Sequence, residues 1–276
     1  MTQLLPRVDE VSVNDAAAFA AVVRARKPVI MRGLVQRWPA VVHARASPEA
    51  LCRYLAGADT GALVDALMMA PEEGGRLFYR RDMSGFNFVR NKVSVTSVLE
   101  QLARFSRFPV APAVAIQSAL VDSCLTQCGV DLAMPLLDPA IRPRIWIGNG
   151  VITPAHFDES DNLACVVSGL RRFTLFPPEQ IDKLYLGPHD FAPTPTPISM
   201  VDFGNPDFAR FPRFREALAA ARVAELAPGD ALYIPALWWH HVQSVGVLNV
   251  LVNYWWAAGG MAPDAGRRLL ARANPA

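Results

Sequence analysis

Thr153-Pro154-Ala155-His156-Phe157-Asp158 is the stretch on which the fold turns. In an extended strand, residues i and i+2 project from the same face. His156 and Asp158 can therefore reach one ion while Phe157 packs behind them. Alone, an H-x-D pair is a weak signal, because a single histidine on an apolar strand is more often a satisfied core residue. A second segment raises its weight: Tyr233-Ile234-Pro235-Ala236-Leu237-Trp238-Trp239-His240-His241. A histidine there closes the site if the two strands are neighbours. The chain has five histidines (His43, His156, His189, His240 and His241), and three of them fall in these two segments. Two imidazoles and one carboxylate form the facial set of a non-haem iron centre, which leaves three coordination positions open.

Outward from these segments the texture is that of a sheet. Arg144 to Gly148, Leu163 to Ser168 and Arg171 to Phe176 read as strands, with Gly169-Leu170 as a tight turn between the last two. Pro177-Pro178 stops the run. Thr194 to Pro206 reads as a Pro-rich loop, Arg213 to Ala221 as a short helix, and Pro228-Gly229-Asp230 as a turn. Strands follow at Ala231–Ile234 and Val247–Trp256. Upstream, helices are expected over Asn14–Arg26, Ser47–Leu55 and Ser94–Phe105, with Val29–Met31 a short buried strand. The chain thus reads as one domain over 1–276: a mostly helical part at 1–140, a β-barrel core at 141–258 and a short tail or helix at 259–276. The expected fold is mainly β, a jelly roll (double-stranded β-helix) with flanking α-helices, mostly N-terminal.

Four segments in order, Thr153–Glu159, Gly169–Gln180, Gly229–His241 and Val252–Trp255, resemble the JmjC-like (cupin-like) Fe(II)- and 2-oxoglutarate-dependent oxygenases, most of all their asparaginyl-hydroxylase branch. Lys27–Gly33 with Trp38-Pro39 is similar to the N-terminal opening of that family. The likeness is dense over 144–256 and thin over 40–140. It implies that His156, Asp158 and His240 hold Fe(II), with His241 behind the site or facing substrate. It implies that Arg171 and Thr153 bind the far carboxylate of 2-oxoglutarate, Arg171 standing where the asparaginyl hydroxylase has lysine. Arg171 or Arg172 exposed at a hairpin end is the plainer alternative. Asn162 and Asn253 match polar residues of the cosubstrate pocket, and Trp255 matches a wall. For Asn253, a structural hydrogen bond inside the barrel is the alternative. The sequence departs from the family at Ala115, where the asparaginyl hydroxylase has tyrosine. Gln117 follows it, and Tyr79 is a candidate source of the missing hydroxyl.

The reaction so implied consumes O2 and 2-oxoglutarate, gives succinate and CO2, and hydroxylates a C–H bond. A protein or peptide side chain is the expected substrate, and a small molecule the alternative. Two rival readings share the fold: a metal-dependent cupin enzyme that does not use 2-oxoglutarate, and a non-catalytic binding module. Zinc hydrolysis by the same three ligands lacks an H-E-x-x-H helix and a general base.

Composition sets the outer bounds. With 52% hydrophobic residues among 276, the chain can bury a sizeable core. Its net charge of +2 gives no reason to invoke nucleic acid or an anionic membrane. The uncharged stretch Ala231–Pro263 is broken by Pro235, His240, His241, Asn249 and Asn253, so it reads as barrel strands rather than a membrane span. Met1–Glu10 lacks the apolar run of a signal peptide, and Cys52, Cys124, Cys128 and Cys165 show no C-x2-C spacing. A cytoplasmic protein with reduced thiols is expected. A C-terminal helix at about Pro263–Arg272 offers a surface for a homodimer.

Overall fold

A computed structural model describes residues 5–262 and 264–273. In chain order the elements are β1 (Asp9–Glu10), α1 (Ala16–Ala25), β2 (Val29–Met31), α2 (Pro39–Ala46), α3 (Pro48–Ala58), β3 (Val64–Met69), β4 (Phe88–Val93), α4 (Val95–Phe105) and β5 (Ala113–Leu120). The short α5 (Val121–Cys124) and α6 (Cys128–Asp131) follow, then β6 (Arg144–Gly148), β7 (Ile152–His156), β8 (Ser160–Phe176), α7 (Phe214–Ala220), β9 (Arg222–Leu226), β10 (Ala231–Ile234), β11 (Trp239–Ala257) and α8 (Ala265–Ala273).

The expected helices form where their caps permit. Asp15, Ser47 and Ser94 each accept a hydrogen bond from the backbone N–H three residues on, satisfying a donor that the first turn leaves free. Along α4 the predicted stripe of Val95, Val98, Leu99 and Leu102 is buried. The first 140 residues, expected to be mostly helical, depart from that expectation: they also carry β1 to β5, and β3, β4 and β5 extend the main sheet. Their pattern is harder to read because Val64, Ala66, Leu67 and Met69 are buried on both faces of β3, which removes the clean alternation of a half-buried strand.

Eleven strands join in one sheet in the order β1-β2-β10-β8-β11-β6-β5-β3-β4, with β7 added beside β11 and β9 beside β8. Its spine is the long pair β8–β11, in register from Trp239↔Phe176 to Ala257↔Ser160. The expected tight turn at Gly169-Leu170 is instead a corner within a continuous strand. Pairing breaks off between Val245 and Val250, opposite Gly169, and then resumes. On one side of the corner the ribbon carries β10 and β6; on the other it carries β9 and β7. The ribbon folds over into two facing layers, the jelly roll.

The packing shows the two layers meeting. Ala164, Val166 and Leu251 from one side of the corner share a core with Phe173, Leu175 and Val242 from the other. Behind the first layer, Leu163, Cys165, Val167, Val250 and Val252 pack on Phe19, Leu51, Leu55, Val98 and Leu102 of α1, α3 and α4. Behind the second, Phe157, Phe176 and Trp239 pack on Phe214 of α7 and Leu269 of α8. Leu269 of α8 is thus packed within the chain; Pro263, expected to begin that helix, lies outside the described residues. Among the described residues no helix is long and apolar enough to cross a membrane. All four cysteines are free, with Cys124, Cys128 and Cys165 buried.

Gly169 makes the corner possible. Its φ of +76° lies where side chains are strained, and an added Cβ would sit 2.2 Å from Asn249 Oδ1. Gly169→Val is expected to cost about 2–4 kcal/mol of stability. A urea unfolding series checks this, and an unchanged midpoint would show that the corner relaxes freely.

Candidate metal centre

His156 ends β7 and His240 is the second residue of β11, and the two are cross-strand partners. Their ring centroids are 4.3 Å apart. Alternation sends their neighbours the other way: Phe157 and Trp239 meet edge to face at 4.9 Å in the core behind. Asp158 lies just past β7. Its carbonyl accepts a hydrogen bond from Leu237 N at 2.8 Å, and its Oδ2 is 3.7 Å from His240 Nε2. One potential ligand atom from each of His156, Asp158 and His240 falls within 4.8 Å of the others.

The imidazoles are oriented for this. His156 Nδ1 is 2.9 Å from the Pro154 carbonyl and His240 Nδ1 is 3.0 Å from the Trp238 carbonyl. A carbonyl only accepts, so each Nδ1 carries the proton and donates. Each Nε2 is left with a lone pair for a metal. Burial, reinforced by the charge His240 would carry, pushes His156 down to about 4. The ring is neutral at pH 7, the form that ligates.

All eight residues singled out from the sequence line one cavity of about 550 Å³: His156, Asp158 and His240 with Thr153, Asn162, Arg171, Asn253 and Trp255. Of the two arginines at the expected hairpin end, Arg171 is the one turned inward. Its Nε is buried without a hydrogen-bond partner, and the residue as a whole is half-buried. Arg172 points outward, 3.9 Å from Glu225. Burial lowers Arg171 to about 10, which still leaves it cationic at neutral pH. A buried cation without a counter-charge is costly, so the cavity is suited to an anion. Asn253 donates to Asn162 Oδ1 at 3.3 Å and accepts from Trp146 Nε1 at 2.9 Å. The barrel hydrogen bond and the cavity position therefore coexist in Asn253. Trp255 Nε1 is buried without a partner.

Other residues fall elsewhere. His241 projects from the opposite face of β11 and stacks on Phe203 at 4.6 Å, off the cavity. Tyr79 donates to the Phe191 carbonyl at 2.6 Å and does not line the cavity either, so it does not replace the missing tyrosine hydroxyl. Ala115 is buried among Leu67, Leu77 and Phe88, while Gln117 reaches the cavity. Trp146 and Arg144, which face inward from β6, are absent from the residues expected from sequence. The alternation Arg144, Trp146, Gly148 against buried Ile145 and Ile147 was the available signal.

Residues 15–260 match the family described as "Cupin-like domain". The chain belongs to this cupin-like family. Among the curated relatives, human "HSPB1-associated protein 1" is 40% identical over 119 residues, 40% of this chain and 22% of that protein. "Jumonji C domain-containing protein 5" of Drosophila melanogaster is 25% identical over 258 residues, covering 91% of this chain and 59% of its own length. "Lysine-specific demethylase 8" of Danio rerio is 28% identical over 235 residues, 84% of this chain and 53% of that protein. This cupin-like chain thus spans about half the length, or less, of these relatives.

Burial of neutral histidines has a consequence for stability. His241 is also pushed down to about 4, by burial first and then by the charge of Arg76. Both rings titrate near 6.5 when unfolded. Between pH 6.5 and 4 the unfolded chain therefore binds more protons, and stability falls with pH. The metal-free protein is expected to lose more than about 5 °C of Tm between pH 7 and pH 4.5, and His241→Gln to lose less. A Tm unchanged over that window would show that the rings are solvated.

Proposed function

We propose that this cupin-like protein is an Fe(II)- and 2-oxoglutarate-dependent oxygenase that hydroxylates a protein side chain. One observation carries the reading: the two-histidine, one-carboxylate cluster shares its cavity with an arginine whose buried Nε has no partner. A metal with three protein ligands and a cation at a distance fit a 2-oxo diacid, chelating at one end and ion-paired at the other.

His156, Asp158 and His240 would hold the iron, one potential ligand atom of each lying within 4.8 Å of the others. Arg171 would bind the far carboxylate, with the Thr153 hydroxyl in support. The Asn162–Asn253 pair and Trp255 wall the cosubstrate. Bound iron and cosubstrate together supply the activation of O2, with the acid decarboxylated to succinate and CO2 and one oxygen atom delivered to substrate. The protein's own work is orientation and exclusion of water. His156 and His240 keep their protons at Nδ1, on the Pro154 and Trp238 carbonyls. Phe173, Leu251 and Val242 keep the interior apolar.

A protein substrate is favoured by the names of the relatives, one of which is a lysine-specific demethylase. Hydroxylation and demethylation begin with the same attack on a C–H bond and differ in whether the product falls apart. The cavity also exceeds a five-carbon diacid, and Ala192 to Pro195, which lead into the Pro-rich loop, line it together with Phe88. A cytoplasmic setting belongs to the same reading, supported by the four unpaired cysteines.

An anaerobic titration with Fe(II) and then 2-oxoglutarate tests the proposal. A visible charge-transfer band of the chelate is expected in the wild type and is lost in His156→Ala. Iron binding without a band would replace this reading with that of a metal enzyme not using 2-oxoglutarate.

A further inference from the structure

The cavity holds a second guanidinium that the oxygenase reading leaves without a task. Arg144 opens β6, in register with Asn253 on one side and Leu120 on the other. Its Nη1 donates to the Ser118 carbonyl at 2.9 Å and lies 3.4 Å from Ser118 Oγ. Its guanidinium carbon is 5.9 Å from the Trp255 ring centroid. Among the described residues no carboxylate forms an ion pair with it.

The neighbouring strand is bent to serve it. Between Ile116↔Ile147 and Ala119↔Ile145 the β5–β6 ladder slips, so Gln117 and Ser118 together oppose Trp146. Ser118 sits at φ +50°, a strained conformation for any residue but glycine. In a regular strand, residues 117 and 118 would face opposite ways. The bulge turns both toward the cavity, beside Arg144. A cation, an amide and a hydroxyl converge there, held by a strained backbone.

We infer that Arg144, Gln117 and Ser118 form a recognition site for a carboxylate of the substrate: an acidic residue, or a free carboxylate, beside the carbon that is oxidised. The inference rests on the proposed oxygenase function, in which metal and Arg171 meet the two ends of the cosubstrate. Arg171 lies on the second layer, two residues past the corner. Arg144 lies on the facing layer, and the strands beyond β5 bring the exposed Asp65 and Arg90 to the same cavity. Arg144 is thus on the side open to a substrate, and its charge is free to select one.

Calorimetric titration tests this with Mn(II) in place of iron and N-oxalylglycine in place of cosubstrate. The probes are N-acetylglutamate N-methylamide and its isosteric glutamine counterpart. The loaded wild type is expected to bind the acidic probe at least about tenfold more tightly. Arg144→Gln should abolish that preference, keep N-oxalylglycine affinity within about twofold and retain the Tm. Arg144→Lys should keep part of the preference. Equal affinity for both probes, or no saturable binding of the acidic one, overturns the inference. So does an Arg144→Gln variant that weakens N-oxalylglycine as much as Arg171→Ala does, since Arg144 would then serve the cosubstrate. If the wild type fails to bind N-oxalylglycine, it is the oxygenase reading that fails. The probes are then titrated against the Mn(II) protein alone, where an Arg144-dependent preference still supports a carboxylate site and its absence overturns it.

Discussion

His240→Ala is expected to abolish iron-dependent consumption of 2-oxoglutarate and to weaken metal binding by more than about 100-fold, whereas His241→Ala should leave metal affinity within about tenfold. Adjacent residues on a strand face opposite ways, and the structure shows which way each ring goes. His240 is paired with His156 and 3.7 Å from Asp158, while His241 stacks on Phe203 behind the sheet. Removing His240 leaves two of three ligands. Removing His241 empties a packing site, so its cost is expected in stability. Metal titration of both variants, each checked by circular dichroism, decides the matter. Loss of metal in His241→Ala with retention in His240→Ala would reverse the assignment.

Arg171→Ala is expected to weaken 2-oxoglutarate binding by about 100-fold, the scale for removing one partner of a buried charge pair, with iron affinity retained. Its stability effect should have the opposite sign from most buried truncations. In the absence of ligand, the half-buried Arg171 has its Nε buried and unpartnered, so its partial desolvation is uncompensated. Arg171→Met, which keeps much of the volume without the charge, should leave the ligand-free Tm unchanged or raise it. Calorimetry with 2-oxoglutarate and a thermal melt of the same variant give both readouts. Unchanged affinity in Arg171→Ala would move the role to another cation, and Arg144 is the next guanidinium along the wall of that cavity.

Much of the site is legible in the amino-acid sequence alone. The spacing of His156 and Asp158, and the Trp-Trp-His-His run ending at His241, locate the cluster because a strand fixes which residues share a face. The short strand Val29–Met31 and the barrel strands Arg144–Gly148 and Ala231–Ile234 have the bounds expected of them, since runs of apolar residues end there on Arg, Gly or Pro. Less legible is everything that depends on strands distant in sequence. Val64–Met69 and Phe88–Val93 do not read as strands because the first buries residues on both faces and so lacks clean alternation, and the second, an edge strand, carries polar residues on both faces. Ser118 carries no signal of its own, because its place beside Arg144 depends on the β5–β6 ladder slip; for Arg144 only the alternation along β6 was there to read.

By itself the sequence pointed to His156 and Asp158 with a histidine of the Trp-Trp-His-His run, and to a mainly β barrel, through local spacing. The choice of His240 and of Arg171 came from the resemblance to the oxygenase family. Only the tertiary structure decided which layer each residue faces. On β8, Asn162 and Ala164 point inward before the corner, yet Arg171 and Phe173 do so after it. On β11, His240 and Val242 point inward, and then Leu251, Asn253 and Trp255. Even numbers give way to odd across Gly169 on one strand and across 246–249 on the other. A strict period of two would have sent Arg171 and Asn253 to the outside. The corner shifts the phase because Gly169, at φ +76°, lets the chain bend without a Cβ in the way. No local pattern states that shift; it exists only once both long strands fold over together.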